Sequence, residues 1–209
     1  MGSMNDHLSQ TPEAEKDLAQ TPWPIIREIE KYLGVRFVLD ACASRMTKKA
    51  PYYYGVDSLI GGCPVADDGL SADWAIDLAR LAHPLNSRSW DRPLLPAVYC
   101  NPPFSLASDF INKCAEQAAN GCIVVGCFKD AGDPDWYQVM ERTATFLIKF
   151  DGRIEYLRPN GSRYTRIDAK GNEVKSGVNF ASVYPVWLPF RAAGLAPTIR
   201  LERPKKYLE

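Results

Sequence analysis

The stretch Val98-Tyr99-Cys100-Asn101-Pro102-Pro103-Phe104-Ser105 constrains the fold more than any other part of this chain. An apolar run over 97–100 reads as a buried strand. Two consecutive prolines end it, because each fixes φ and removes a backbone donor. The chain must turn there. Carbonyl oxygens in such a turn lack neighbouring N–H partners and can point into a cleft. Beside them stand the Asn101 carboxamide and the flat Phe104 ring. Two acceptors and a stacking surface at a strand's carboxyl end suit a planar ring carrying an exocyclic amine. A plain strand terminator with a core aromatic is the bland alternative.

The rest of the chain surrounds this strand with alternating elements. Ile25, Ile26, Ile29 and Leu33 recur at helical spacing, with Pro24 in the first turn and Gly34 closing the helix. Residues 35–39 form a compact apolar strand ending at Asp40, and 51–56 a second strand ending at Asp57. Residues 58–72 read as loop and 76–81 as a weak helix. After the strand at 97–100 come a helix over about 106–119, stopped by Asn120-Gly121, and a buried strand over 122–128. A short helix over 133–142 and a strand over 143–150 follow. Strands that read as continuous apolar runs between helices imply a mostly parallel sheet covered on both faces. The end differs: 154–158 and 163–167 flank Pro159-Asn160-Gly161 as a hairpin, and 179–187 is a last long strand. The expected architecture is α/β, a mostly parallel central sheet with an antiparallel C-terminal hairpin and helices on both faces. Residues 1–19 are expected to be a flexible tail, and 20–209 one domain with a basic hairpin inserted at about 152–176.

Composition narrows the chemistry. At 209 residues the chain buries a core without staples, and no apolar run approaches a membrane span. No secretory leader is read at the start, and a cytoplasmic location is expected. The six cysteines contain no C-x-x-C pair, and only two histidines occur, which makes a zinc site or a histidine base an unpromising reading. No metal is expected. Formal net charge is zero, yet residues 141–209 hold 13 Lys and Arg against 7 Asp and Glu. A basic C-terminal third suits a polyanionic partner. Within it Arg153, Arg158, Arg163, Arg166, Lys170 and Lys175, with Tyr156 and Tyr164 among them, form a ribbon able to grip phosphates and reach base edges. The alternative is a solvated hairpin. Trp136, which follows the strand next to that of Asn101, is expected to border the pocket beside Asn101, with a plain core tryptophan as the alternative.

In open α/β sheets ligands bind at the carboxyl ends of the strands, near the reversal of strand order. Asp40, Asp57 and Asn101 stand at such ends, and Asp73-Trp74 precedes the Asn101 strand. Each aspartate alone can be a helix cap or turn former; together they outline one pocket rim. The small residues Ala41, Cys42, Ala43 and Ser44 would let a ligand approach the backbone.

Between about Gln20 and Trp187 the chain resembles the phage-type DNA adenine-N6 methyltransferase family, within the Rossmann-like S-adenosylmethionine-dependent methyltransferases. The resemblance rests on Gln20-Thr21-Pro22, Leu39-Asp40-Ala41-Cys42-Ala43-Ser44, Tyr54-Gly55-Val56-Asp57, Asp73-Trp74, Asn101-Pro102-Pro103-Phe104-Ser105 and Phe150-Asp151-Gly152-Arg153-Ile154, in that order. It implies S-adenosylmethionine as methyl donor and double-stranded DNA as partner. It implies that Asp40, Ala41 and Cys42 line the methionine end of the donor, with Thr21 and Pro22 closing that region. Asp57 would meet the ribose, Asp73 the donor's adenine amine, and Trp74 its ring. Asn101, Pro102, Pro103 and Phe104 would be catalytic, holding the amine of an everted adenine. The glycine-rich loop of the wider superfamily is replaced by Ala-Cys-Ala-Ser after the first strand. Other acceptors (cytosine N4, RNA adenine, a protein glutamine) and an inactive nucleic-acid-binding relative stay open as alternatives.

Overall fold

The computed structural model describes residues 19–55, 68–82, 94–132, 134–168, 170–175, 180–189 and 194–204. The expected tail up to residue 18, Asp57 and Asp133 lie outside these residues. Ala19, at the end of the expected tail, is instead buried within the folded part.

Helix α1 (Trp23–Leu33) follows Pro22 and ends where Gly34 adopts φ 66°, its N–H returning to Glu30 O. Its face of Ile25, Ile26 and Ile29 is completely buried, which stabilises the fold by about 1.5–3 kcal/mol per side chain. Strands β1 (Val35–Asp40), β2 (Tyr52–Tyr53) and β3 (Leu95–Cys100) follow, with helix α2 (Trp74–Ala82) between the last two. A 3-10 turn (Phe104–Leu106) leads into α3 (Ala107–Ala119). Then come β4 (Val124–Gly126), β5 (Phe128–Lys129), α4 (Asp135–Thr143) and β6 (Phe146–Phe150). The chain ends in β7 (Thr165–Ile167), β8 (Glu173–Lys175), β9 (Ser182–Trp187) and β10 (Thr198–Leu201).

The main sheet runs β10-β6-β9-β4-β3-β1-β2. Strands β2, β1, β3 and β4 are parallel neighbours, β9 lies antiparallel between β4 and β6, and β10 adds parallel to β6. Alternation along β3 sorts its side chains to two cores: Val98 and Cys100 meet Trp74, Phe110 and Ile111 of α2 and α3, while Ala97 and Tyr99 meet Ile25, Ile26 and Ile29 of α1. Helices therefore cover both faces, three on one and α1 with the base of the 154–164 segment on the other. Among the described residues no helix is long and apolar enough to cross a membrane.

Three elements differ from the sequence reading. The strand expected over 122–128 is split into β4 and β5. Its partner β9 carries Pro185, which has no N–H to offer, and the register places Pro185 opposite Gly126, where the ladder lapses. Gly126 also tolerates no side chain, because a Cβ there would stand 2.4 Å from the Phe128 ring. The hairpin expected over 154–158 and 163–167 is reduced to one bridge, Leu157 to Arg163, since Leu157 spends its own backbone groups on Gln20. The paired hairpin lies further on, β7 against β8. Finally, β10 is a half-exposed edge strand without an apolar run, so sequence pattern left it unseen.

Candidate active site

The chain passes from β1 outward to β2, then returns to lay β3 on the other side of β1. That reversal opens a crevice above the carboxyl ends of β1 and β3, where Asp40 and Tyr99 are register partners. A cleft of about 280 Å³ occupies it. Its walls include Asp40, Ala41, Cys42 and Ala43 at the end of β1, Gly69 and Leu70 opposite, and Asn101, Pro103 and Phe110 at the corner after β3. The wall at Gly69 is backbone on backbone: a Cβ there would lie 2.0 Å from Ala41 O. The indole of Trp74 supports that wall from below, its Nε1–H donating to Gly69 O at 2.7 Å.

Asp40 lines the cleft at the end of β1 and is 2 % exposed. Its Oδ1 accepts Cys42 N–H at 3.3 Å and its Oδ2 accepts Lys49 N–H at 2.8 Å, so the carboxylate sets the path of the loop that makes the wall. Burial pushes its pKa up to about 7 against those hydrogen bonds. Lys49, also buried, donates its ammonium to Gln20 Oε1 and lies 5.0 Å over the Trp23 ring. Desolvation pushes Lys49 down to about 8, with Asp40 acting the other way.

The Asn101 amide is oriented by its nitrogen. Nδ2 donates to Ala19 O at 3.1 Å, which leaves Oδ1 as the group's acceptor. Pro103, at φ −52° and ψ 140°, turns the chain into the 3-10 segment, where Pro103 O takes Leu106 N–H at 3.0 Å. Among the described backbone bonds Pro102 O accepts none. Asn101 and Pro103 line the cleft, whereas Phe104 is not among its walls. Its ring meets Phe180 edge-on, centroids 4.9 Å apart at 87°.

The other expected donor-site residues fall into two groups. Ala41 and Cys42 line the cleft with Asp40. Thr21, Pro22, Asp73 and Trp74 are not among its walls. Thr21 is fully buried and hydrogen-bonded to the Tyr99 hydroxyl at 2.7 Å, and Tyr99 does line the cleft. Pro22 caps α1. Asp73 is exposed and caps α2, its Oδ1 accepting Ala75 and Ile76 N–H at 3.1 Å each. The Trp74 ring is completely buried in the core against β1 and β3. Sequence reasoning missed Ala19, Lys49, Asp68 and Gly69, and gave Gln20 no role beyond its place in the resemblance. Gly69 carried a detectable sign, a glycine in a loop ahead of Trp74; the rest are brought in by pairing that no local pattern announces.

Of the basic ribbon, Arg153, Arg163, Lys170 and Lys175 are exposed and Arg158 is half-buried with its guanidinium 5.3 Å over Tyr164. The side chain of Arg166 lies outside the described residues. Glu155 tempers the patch, standing 3.8 Å from Arg163 and 3.7 Å from Lys175. Tyr156 and Tyr164 do not share that exposed face: both are buried, and the Tyr156 hydroxyl donates to Ser182 at 2.8 Å. Trp136 is half-buried, stacked at a tilt on Phe128 within the α4 packing. Among the described residues no group of three or more His, Cys, Asp or Glu could hold a metal ion.

A mostly parallel sheet with one antiparallel strand, a cleft at its β1–β3 reversal and an Asn-Pro-Pro-Phe corner beside it together define a Rossmann-like methyltransferase fold. The chain belongs to the DNA N-6-adenine-methyltransferase (Dam) family, whose model matches residues 8–203. It is 24 % identical over 143 residues to a DNA N-6-adenine-methyltransferase of Haemophilus phage HP1 (strain HP1c1). That match covers 67 % of this chain and 65 % of the phage protein.

Proposed function

We propose that this protein transfers a methyl group from S-adenosylmethionine to the exocyclic N6 of an adenine rotated out of double-stranded DNA. The observation that carries the reading is the Asn101 amide, pinned through its nitrogen so that an oxygen acceptor remains beside the cleft. The cleft chemistry fits the donor. Gly69 and Ala41 close one wall of the cleft as bare backbone in direct contact, and Asp68 at its rim offers a carboxylate to polar groups of the ligand. Asp40, Ala41 and Cys42 would hold the donor, Thr21 and Pro22 would brace Tyr99 and α1 behind it, and Asp73 with Trp74 would hold the Gly69 wall. Asp57 is proposed for the ribose on the resemblance alone.

S-adenosylmethionine supplies an electrophilic methyl group on a sulfonium, whose leaving group is a neutral thioether. The residues of this chain then have two tasks, to place the nucleophile and to make it nucleophilic. The lone pair of an aromatic amine is delocalised into its ring. Hydrogen bonds from its two N–H groups to Asn101 Oδ1 and Pro102 O favour a pyramidal nitrogen with a localised lone pair. Oriented dipoles in a site sheltered from water act without reorganising. Eversion of the base costs a few kcal/mol of stacking and pairing, and stacking on Phe104 returns roughly 1–3 kcal/mol. Arg153, Arg158, Arg163, Arg166, Lys170 and Lys175 are proposed to contact the DNA backbone.

The test is methyl transfer from labelled donor to duplex DNA, with nucleosides from the digested product resolved by mass spectrometry. N6-methyladenine is expected; N4-methylcytosine or unlabelled DNA would overturn the reading. Asn101→Ala should leave affinity for S-adenosylhomocysteine within a few-fold and abolish transfer.

A further inference from the structure

Ala19 and Gln20 stand between the two ends of this reaction. On one side Ala19 O accepts the Asn101 Nδ2–H at 3.1 Å. On the other, Gln20 exchanges both backbone hydrogen bonds with Leu157, at 2.9 and 3.0 Å. Its side-chain Nε2 donates to the carbonyls of Arg158 and Pro159 at 2.7 and 3.1 Å. Its Oε1 accepts from Lys49 Nζ, and the Lys49 backbone N–H binds Asp40 at 2.8 Å. One buried amide thus reaches the basic turn, the loop after β1 and, through its neighbour, the proposed catalytic side chain.

The polar groups in this chain of contacts are enclosed: Gln20 is 7 %, Lys49 4 % and Asp40 2 % exposed. Packing alone does not call for them, because an apolar cluster would join the same elements without desolvating a lysine and a carboxylate. A doubly bonded amide does something an apolar cluster does not: it fixes the relative position of the groups it holds, and each bond polarises the next. The turn it holds is itself closed, by Arg158 N–H on Ser162 O at 2.8 Å and by the bridge from Leu157 to Arg163. Arg158 and Arg163 are thus connected through this turn to Gln20 and, one peptide unit on, to the carbonyl that orients Asn101.

We infer that Gln20 is a positioning residue that couples a polyanion docked on the 158–163 turn to the orientation of the Asn101 amide. The inference rests on the role given to Asn101 under Proposed function. Gln20 touches neither donor nor acceptor; it acts through Ala19 and the turn.

The experiment compares the full chain with Gln20→Ala and Gln20→Glu, the second keeping the acceptor for Lys49 while setting an oxygen against the two carbonyls. Turnover on a duplex oligonucleotide, KM for that duplex, affinity for S-adenosylhomocysteine and the melting temperature are read for each. Both variants should bind S-adenosylhomocysteine within about twofold of the parent and lose on the order of ten- to a hundredfold in kcat, the scale of a misplaced reacting group. Gln20→Glu, being isosteric, carries the test if Gln20→Ala does not fold. Unchanged kcat overturns the inference, as does a loss confined to KM for the duplex, or one in which donor affinity and melting temperature fall together with kcat. A parent protein that methylates DNA beside unimpaired variants removes this inference alone. A parent that transfers no methyl group to DNA removes the functional reading and this inference with it.

Discussion

Gly69→Ala tests the cleft wall at its tightest point. The added Cβ would lie 2.0 Å from Ala41 O and 3.5 Å from Phe110 Cε1. The closer of these atoms is backbone at the end of β1, where Ala41 N–H is already bonded to Tyr99 O at 2.7 Å, so Ala41 has little freedom to retreat. Gly69 is held in turn by Trp74 Nε1 at 2.7 Å. One side must yield. Overpacking of this kind costs about 1–3 kcal/mol, and at about 2–4 °C per kcal/mol for a chain of this size the melting temperature should fall by about 2–12 °C. Because Gly69 and Ala41 both line the cleft, the displacement also distorts the donor site. Affinity for S-adenosylhomocysteine, read by isothermal titration calorimetry, should fall about tenfold, equivalent to about 1.4 kcal/mol. If the variant melts and binds like its parent, Gly69 does not rest on Ala41 and the wall described above is wrong.

Two further outcomes are expected. Replacing Arg158, Arg163 and Arg166 together by alanine should weaken duplex binding and flatten the dependence of log K on log salt by roughly one unit for each phosphate that the variant no longer neutralises; an unaltered slope would place the DNA face elsewhere. Stability should also vary with pH through the buried pair. Asp40 is raised from 3.8 to about 7, so across that window the native state keeps a proton that the unfolded chain has released, and stability falls as pH rises. Lys49 is lowered from 10.5 to about 8, so above about 8 the unfolded chain holds the extra proton and stability recovers. The melting temperature of Asp40→Asn relative to its parent should therefore climb between about pH 4.5 and 7; a constant difference would show that Asp40 does not titrate there.

Local rules carried much of the fold. The isoleucine stripe of α1, the glycine that ends it, the apolar strand of β3 and its abrupt proline stop all depend on residues a few positions apart, and each stands where pattern placed it. Asp40, Ala41, Cys42 and Asn101 follow or end β1 and β3 and line one cleft. Thr21, Pro22, Asp73 and Trp74 are not among the walls of that cleft: Thr21 is buried against the Tyr99 hydroxyl, Pro22 precedes α1, Asp73 caps α2 and the Trp74 indole sits in the core.

What the amino-acid order settled by itself is the α1 helix with its glycine stop and the β3 strand with its proline stop, since capping, φ restriction and side-chain periodicity act over a single turn or strand. Only the folded chain decided the rest: that Ala19 holds Asn101 across 82 positions, that Gln20 grips a turn 138 positions away, and that Tyr156 and Tyr164 face inward while Arg153 and Arg163 are exposed. Those pairings depend on which surfaces the sheet brings together, and a buried polar group takes whatever partner the packing leaves within reach.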